Sequence, residues 1–184
     1  MFTKKNVAGL ACAAFLALGV GGASASTVNF DSGPNGPQTP YIENGYYFDY
    51  VRVVGGPCAV GDCAALNKRE TSVLTQVGGG SFDLTSIWFY LNGRGGRNLL
   101  SIFDTNDTTH RFDLTQADYN TNTGYDIGLD FTDVTSITFV SGKNKGNARF
   151  DNLGLTPSAV PLPAGGLLLL GALAGLAALR RRKA

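Results

Sequence analysis

Apolar residues recur along this chain in three different rhythms. From Val7 to Val20 they form a nearly continuous run, and from Gly165 to Leu179 a second run carries no charged or strongly polar side chain. Between the two, no window of about eleven residues places apolar positions at helical spacing. Short runs rich in Val, Ile, Thr, Phe and Tyr alternate there with breaks rich in Gly, Asn and Asp. Such runs predict strands at Thr27–Asp31, Gly45–Val54, Ser72–Gln76, Leu84–Leu91, Asn98–Asp104, His110–Leu114, Ser136–Ser141 and Ala148–Leu155. The breaks, among them Gly78-Gly79-Gly80 and Asn92-Gly93-Arg94-Gly95-Gly96, supply turn chemistry. The expected architecture is all-β: a two-sheet antiparallel β-sandwich, jelly-roll-like, flanked by an N-terminal signal peptide helix and a C-terminal transmembrane helix.

The flanks read as targeting segments. Lys4 and Lys5 precede the first apolar run, and Ala23-Ser24-Ala25 follows it with small residues at alternate positions. That order is what signal peptidase recognises through Ala23 and Ala25, so residues 1–25 are expected to be removed, with a mature start near Ser26. At the other end, residues 157–184 have three parts: the box Val160, Pro161, Leu162, Pro163 and Ala164, an apolar stretch over about 164–179, and the cations Arg180, Arg181, Arg182 and Lys183. Roughly 20 apolar residues span a bilayer as a helix. Each cation costs about 2.5–3.5 kcal/mol at mid-bilayer, so the basic cluster stops the segment at the interface and stays in the cytoplasm. The lipid bilayer is one expected partner.

This tripartite tail resembles the PEP-CTERM class of bacterial sorting signals, in its VPLPA variant, and matches the box letter for letter at Val160–Ala164. The resemblance covers about 25 residues and concerns routing. It implies a Gram-negative host and an exosortase-type membrane enzyme as partner. It also implies export through the inner membrane, a transient single-pass stage, and delivery to the cell envelope or surface.

Charge changes the picture of the part between. Six of the fifteen Lys and Arg residues lie in the two targeting ends and none of the fourteen Asp and Glu do, which leaves nine basic against fourteen acidic, a net of about −5 over residues 26–156. Nucleic acid is excluded as a partner, because its affinity rests on neutralised phosphates. Cys58 and Cys63, five apart, are expected to form a disulfide after export; the alternative, half of a zinc site, lacks ligands, since His110 is the sole histidine.

Candidate chemistry is sparse. His110 lies in an alternating segment and reads as an exposed strand histidine. Asp126, Asp130 and Asp133 are carboxylates for a hydrolase, but nothing pairs them as acid and base. Asp104-Thr105-Asn106-Asp107-Thr108 opens like a calcium loop yet has Thr109 where Gly is needed, and so reads as a hairpin turn. No catalytic residue is assigned, and the protein is read as not an enzyme. Two constellations remain. Trp88 and Tyr90 share one face of a strand, as a platform for sugar rings or as packing. Asp31, near the domain's start, and Asp151 with Asn152, near its end, would meet if the terminal strands are neighbours, and a structural calcium would reconcile the two carboxylates. This arrangement resembles carbohydrate-binding-module jelly rolls. The functions left open are a non-catalytic surface protein that binds exopolysaccharide or matrix, a secreted polysaccharide hydrolase, and a purely structural matrix component.

Overall fold

The computed structural model describes residues 24–92, 99–142 and 147–158. The predicted signal segment up to Ala23, the sorting box from Val160 and the predicted transmembrane helix lie outside the described residues. Within them the chain forms strands and no helix: β1 (Ser26–Val28), β2 (Gly36–Gln38), β3 (Tyr41–Glu43), β4 (Tyr46–Phe48), β5 (Val51–Val54), β6 (Cys63–Leu66), β7 (Thr71–Gln76), β8 (Phe82–Asn92), β9 (Leu99–Asp104), β10 (Arg111–Thr115), β11 (Gly124–Val134), β12 (Ser136–Ser141) and β13 (Asn147–Pro157). One sheet runs β11-β8-β13-β6-β5-β2, and the other runs β10-β9-β12-β7-β4-β3. β1 joins the first sheet on β13, opposite Leu153–Leu155, while β6 pairs with Ala148–Phe150 on the same strand. Every ladder is antiparallel. The expected jelly-roll-like sandwich is what the structure shows.

The core between the sheets follows from alternation, which sends every second side chain inward. Phe30, Phe48, Phe139 and Phe150 form its aromatic centre: Phe139 and Phe150 stack at 4.7 Å, and Phe30 meets Phe48 at 5.4 Å and Phe150 at 5.6 Å. Phe30 reaches this position with a φ of 60°, a left-handed conformation that costs a bulky residue about 1–2 kcal/mol. Its N–H is held by the Glu43 carboxylate at 2.9 Å, and that same carboxylate oxygen accepts the Tyr41 hydroxyl. Ordering the core around Phe30 thus depends on a polar clasp from β3.

Departures from the sequence pattern have physical causes. The stretch Gly45–Val54 is two strands in different sheets, because the chain crosses between layers at Asp49-Tyr50. Asn44 (φ 50°) and Gly45 (φ 83°) form the two-residue turn between β3 and β4, a conformation that these residue types adopt at low cost. The long β11 (Gly124–Val134) falls where the sequence pattern predicts no strand and carries Asp126, Asp130 and Asp133. Its ladder with β8 breaks register twice, between Gly128 and Phe131 and again before Val134, and Asp133 (φ 55°) sits in the second break.

Candidate functional site

The outer face of the first sheet is assembled by register. On β8, Phe82, Leu84, Ile87, Phe89 and Leu91 belong to the core, so Trp88 and Tyr90 turn the other way. Directly opposed residues of antiparallel strands share a face. One row across the sheet therefore reads Gly124, Tyr90, Arg149, Ala65, Arg52 on β11, β8, β13, β6 and β5. The next row reads Asp126, Trp88, Asp151, and on the far side of Tyr90 lie Asn92 and its partner Asn147.

The two aromatic rings lie nearly parallel (14°) with centroids 6.2 Å apart. Gly124 makes room for the indole, since a Cβ there would sit 2.5 Å from it. The Arg149 guanidinium carbon is 6.0 Å from the Tyr90 ring centre, at the outer reach of a cation–π contact. The Tyr90 hydroxyl donates to Asn122 Oδ1 at 3.4 Å. Each ring is only 8% exposed, so both are set into the face, closer to packing than to an open platform. Gly124→Val is expected to displace the indole and cost about 1–2 kcal/mol through overpacking. Trp88 is the one tryptophan, so its emission spectrum together with a urea melt checks this directly.

Polar groups on this face are under-satisfied. Seven side-chain N or O atoms are buried without a hydrogen-bond partner among the described residues, and three of them, Arg52 Nε, Arg149 Nε and Asn147 Oδ1, belong to this one face. A buried polar atom left unpaired costs about 1–3 kcal/mol. Neither arginine has a salt bridge among the described residues, where the ion pairs are His110–Asp130 and Arg111–Asp113. Sequence reasoning missed Arg52, Arg149 and Asn147, because only long-range strand pairing sets them on the same face as Tyr90.

A loop fastened from four directions borders this face. Residues 55–62 connect β5 to β6, and a Cys58–Cys63 disulfide closes them with the Cα atoms 5.5 Å apart, as expected. Arg149 Nη1 donates to the carbonyls of Gly55 (3.3 Å) and Pro57 (3.4 Å). Asp151 Oδ2 accepts the N–H of Ala59 (3.1 Å) and Val60 (3.4 Å). Asp31 Oδ1 accepts the N–H of Asp62 at 2.8 Å, with Gly61 (φ 61°) so close that a Cβ there would collide with the carboxylate. Replacing both cysteines with serine is expected to lower stability by about 2 kcal/mol, the loop-closure value for so short a ring; chemical denaturation of the two proteins side by side measures it.

Asp31, in the turn after β1, and Asp151, in the middle of β13, thus bind one loop. Burial pushes the Asp151 carboxyl up to about 6, with the charge of Asp31 adding to the rise and the amides of Asn152, Val60 and Ala59 opposing it. The two carboxylates are occupied as follows: Asp151 by those amides, and Asp31 by the Asp62 amide and by Asn29 Nδ2 at 3.0 Å. Asn152 contributes its backbone N–H to Asp151 Oδ1 at 2.8 Å. A calcium ion takes six to eight oxygens. Among the described residues no group of three or more His, Cys, Asp or Glu side chains is placed to hold a metal. As placed, the pair is an amide-binding clamp on the loop.

The remaining candidates fall elsewhere. His110 precedes β10 and is half-buried, not exposed on a strand: its Nε2 lies 3.1 Å from Asp130 Oδ1 and its ring 4.5 Å from that of Phe131. Asp126 stands on the outer face opposite Trp88, Asp130 pairs with His110, and Asp133 donates its N–H to Asp83. The three carboxylates are therefore held in different settings. The segment from Asp104 is the expected hairpin turn between β9 and β10, with the Asp104 and Asp107 carboxylates accepting the amides of Asn106 and Thr109.

No protein-family model and no curated protein matches the chain. Solved structures do. The CBM22-1 xylan-binding domain from Paenibacillus barcinonensis Xyn10C is 12% identical, with a TM-score of 0.46, over 76% of this chain and 98% of that one. The family 29 carbohydrate-binding module CBM29-2, as its Y46A mutant, is 13% identical, with a TM-score of 0.43, over 73% and 91%. SGBP-B from a xyloglucan utilization locus in Bacteroides uniformis is 10% identical, with a TM-score of 0.41, over 71% of this chain and 49% of that one. Similarity at this level assigns neither family nor ligand.

Proposed function

We propose that this protein is an exported, non-catalytic β-sandwich that binds polysaccharide through the outer face of its seven-stranded sheet. The observation that carries this is a set of buried, unpartnered polar atoms on one sheet face: Arg149 Nε and Asn147 Oδ1 next to the Trp88–Tyr90 pair, and Arg52 Nε two strands beyond Arg149. Sugars present hydroxyls and ring oxygens above apolar ring faces, so donors and acceptors set beside aromatic side chains suit them chemically. Asp126 adds an exposed acceptor next to Trp88. The sorting route is part of the same proposal: the signal at Ala23–Ser26 and the box at Val160–Ala164 deliver the sandwich to the envelope of a cell that makes exopolysaccharide.

Trp88 emission reports on this face during titration with a panel of neutral and acidic polysaccharides. A saturable spectral change with at least one polymer, weakened in Asn147→Ala, is expected; no change with any of them overturns polysaccharide binding. Intact mass of the protein from membrane and surface fractions tests the route. A species from Ser26 to the Val160–Ala164 box is expected, and one that retains Arg180–Lys183 solely in membranes overturns cleavage. A second reading, a matrix component without a ligand, is favoured by the 8% exposure of both rings and predicts an unchanged spectrum throughout the panel.

A further inference from the structure

Two guanidinium groups facing the same way on one sheet narrow the class of saccharide. Arg149 and Arg52 flank Ala65 in a single row, so their Cα atoms stand two strand spacings apart, about 10 Å. The methyl of Ala65 leaves the space between them low. Neither has a salt bridge among the described residues, although Arg52 lies against the Tyr50 hydroxyl, which donates to Glu70 Oε1 at 3.1 Å. Asp151, two residues beyond Arg149 on the same face, is turned to the amides of Ala59, Val60 and Asn152. Arg149 spends Nη1 on the carbonyls of Gly55 and Pro57, and this fixes its orientation while its Nε remains without a partner. A guanidinium held in place this way suits a carboxylate, whose charge strengthens each hydrogen bond beyond what a neutral hydroxyl gives.

We infer that the Arg52–Ala65–Arg149 row is a subsite for an acidic sugar, with a hexuronate carboxylate held by the two guanidiniums. This rests on the polysaccharide reading above and specifies the class of polymer. The exposed Asp126 lies on the opposite side of the aromatic pair from Arg52, which orients the acidic group toward β5 and away from β11. The attraction is local, because the sandwich as a whole is acidic, so recognition depends on this row and not on the field of the whole molecule.

The test uses the full chain in mild detergent, with polygalacturonate and its carboxyl-reduced, otherwise identical polymer as probes. Polygalacturonate is expected to bind at least about tenfold more tightly, the size of one charge-assisted bond, and the preference is expected to shrink with added salt. Arg52→Gln, which leaves the contacts from Arg149 to the loop in place, is expected to lower polygalacturonate binding to the level the same variant shows for the reduced polymer, removing the preference. Equal binding of the two polymers, or a preference that survives in Arg52→Gln, overturns the acidic subsite and leaves polysaccharide binding intact. Absence of binding to both of these and to every polymer of the panel overturns the two together.

Discussion

Phe150→Ala is expected to lower the stability of the sandwich by about 3–5 kcal/mol, the range for emptying a buried phenylalanine site. Phe150 is 0% exposed and stacks on Phe139 at 4.7 Å with the rings only 10° apart, while Phe30 meets its edge at 5.6 Å. It sits on β13, the strand that pairs with β1, β6 and β8, so the backbone has little freedom to close the cavity. Its loss also removes a wall from Phe30, whose left-handed backbone is tolerated because the ring is enclosed. Domains of this size are stable by about 5–15 kcal/mol, so the variant is expected to be partly unfolded at physiological temperature. Urea denaturation measures the loss. Phe103→Ala serves as the comparison: that ring is half-buried on the outer face under Arg111, at 5.5 Å, and its removal is expected to cost less than half as much. A Phe150→Ala midpoint within 1 kcal/mol of the parent would mean that the aromatic centre is not what holds the two sheets together.

Much of this fold was legible because β-branched and aromatic residues mark strands that bury one face. β7, β9 and β12 fall where the pattern put them. The strands that escaped are those whose composition argues locally against a sheet. β6 is Cys-Ala-Ala-Leu, and Ala has little preference for strands; it is held in place by its ladders with β5 and β13. β11 carries three aspartates and two glycines that read as turn residues, yet Tyr125 and Ile127 pack toward the core while Asp126 faces out. Tertiary pairing with β8 outweighed local preference there.

The site was legible only in pieces. Alternation alone put Trp88 and Tyr90 on one face, and the closeness of the first and last strands brought Asp31 and Asp151 to a common place. No local signal says that Arg149 lies opposite Tyr90 or that Arg52 lies two strands further on, because those pairings join residues dozens of positions apart. Nor does the sequence state that the 55–62 loop supplies the donors for both aspartates; backbone amides leave no mark in composition. The pair of carboxylates was legible, and the N–H groups that they accept were not.

That loop makes the other large effect a matter of pH. Asp151 is fully buried, and its carboxyl is raised from the usual 3.8 to about 6, first by burial and further by the charge of Asp31, against the pull of the Asn152, Val60 and Ala59 amides. A carboxyl whose folded pKa lies above its unfolded one binds more protons in the native state between those two values. Its contribution to stability is therefore complete below about pH 4 and is lost as pH rises through about 6, by on the order of 3 kcal/mol. Other carboxylates titrate across the same window, so the quantity to follow is the difference in unfolding free energy between the parent and Asp151→Asn, from urea melts between pH 4 and 7. That difference is expected to move against the parent by about this amount as pH rises, because asparagine stays neutral while the aspartate is forced to ionise beneath the loop. The same side chain also anchors the loop, so Asp151→Asn, which keeps only one oxygen for three amides, is expected to speed reduction of the Cys58–Cys63 bond by a mild thiol at every pH. A difference that stays flat across the window would show that Asp151 keeps an ordinary carboxylate pKa and that the loop amides already offset its burial.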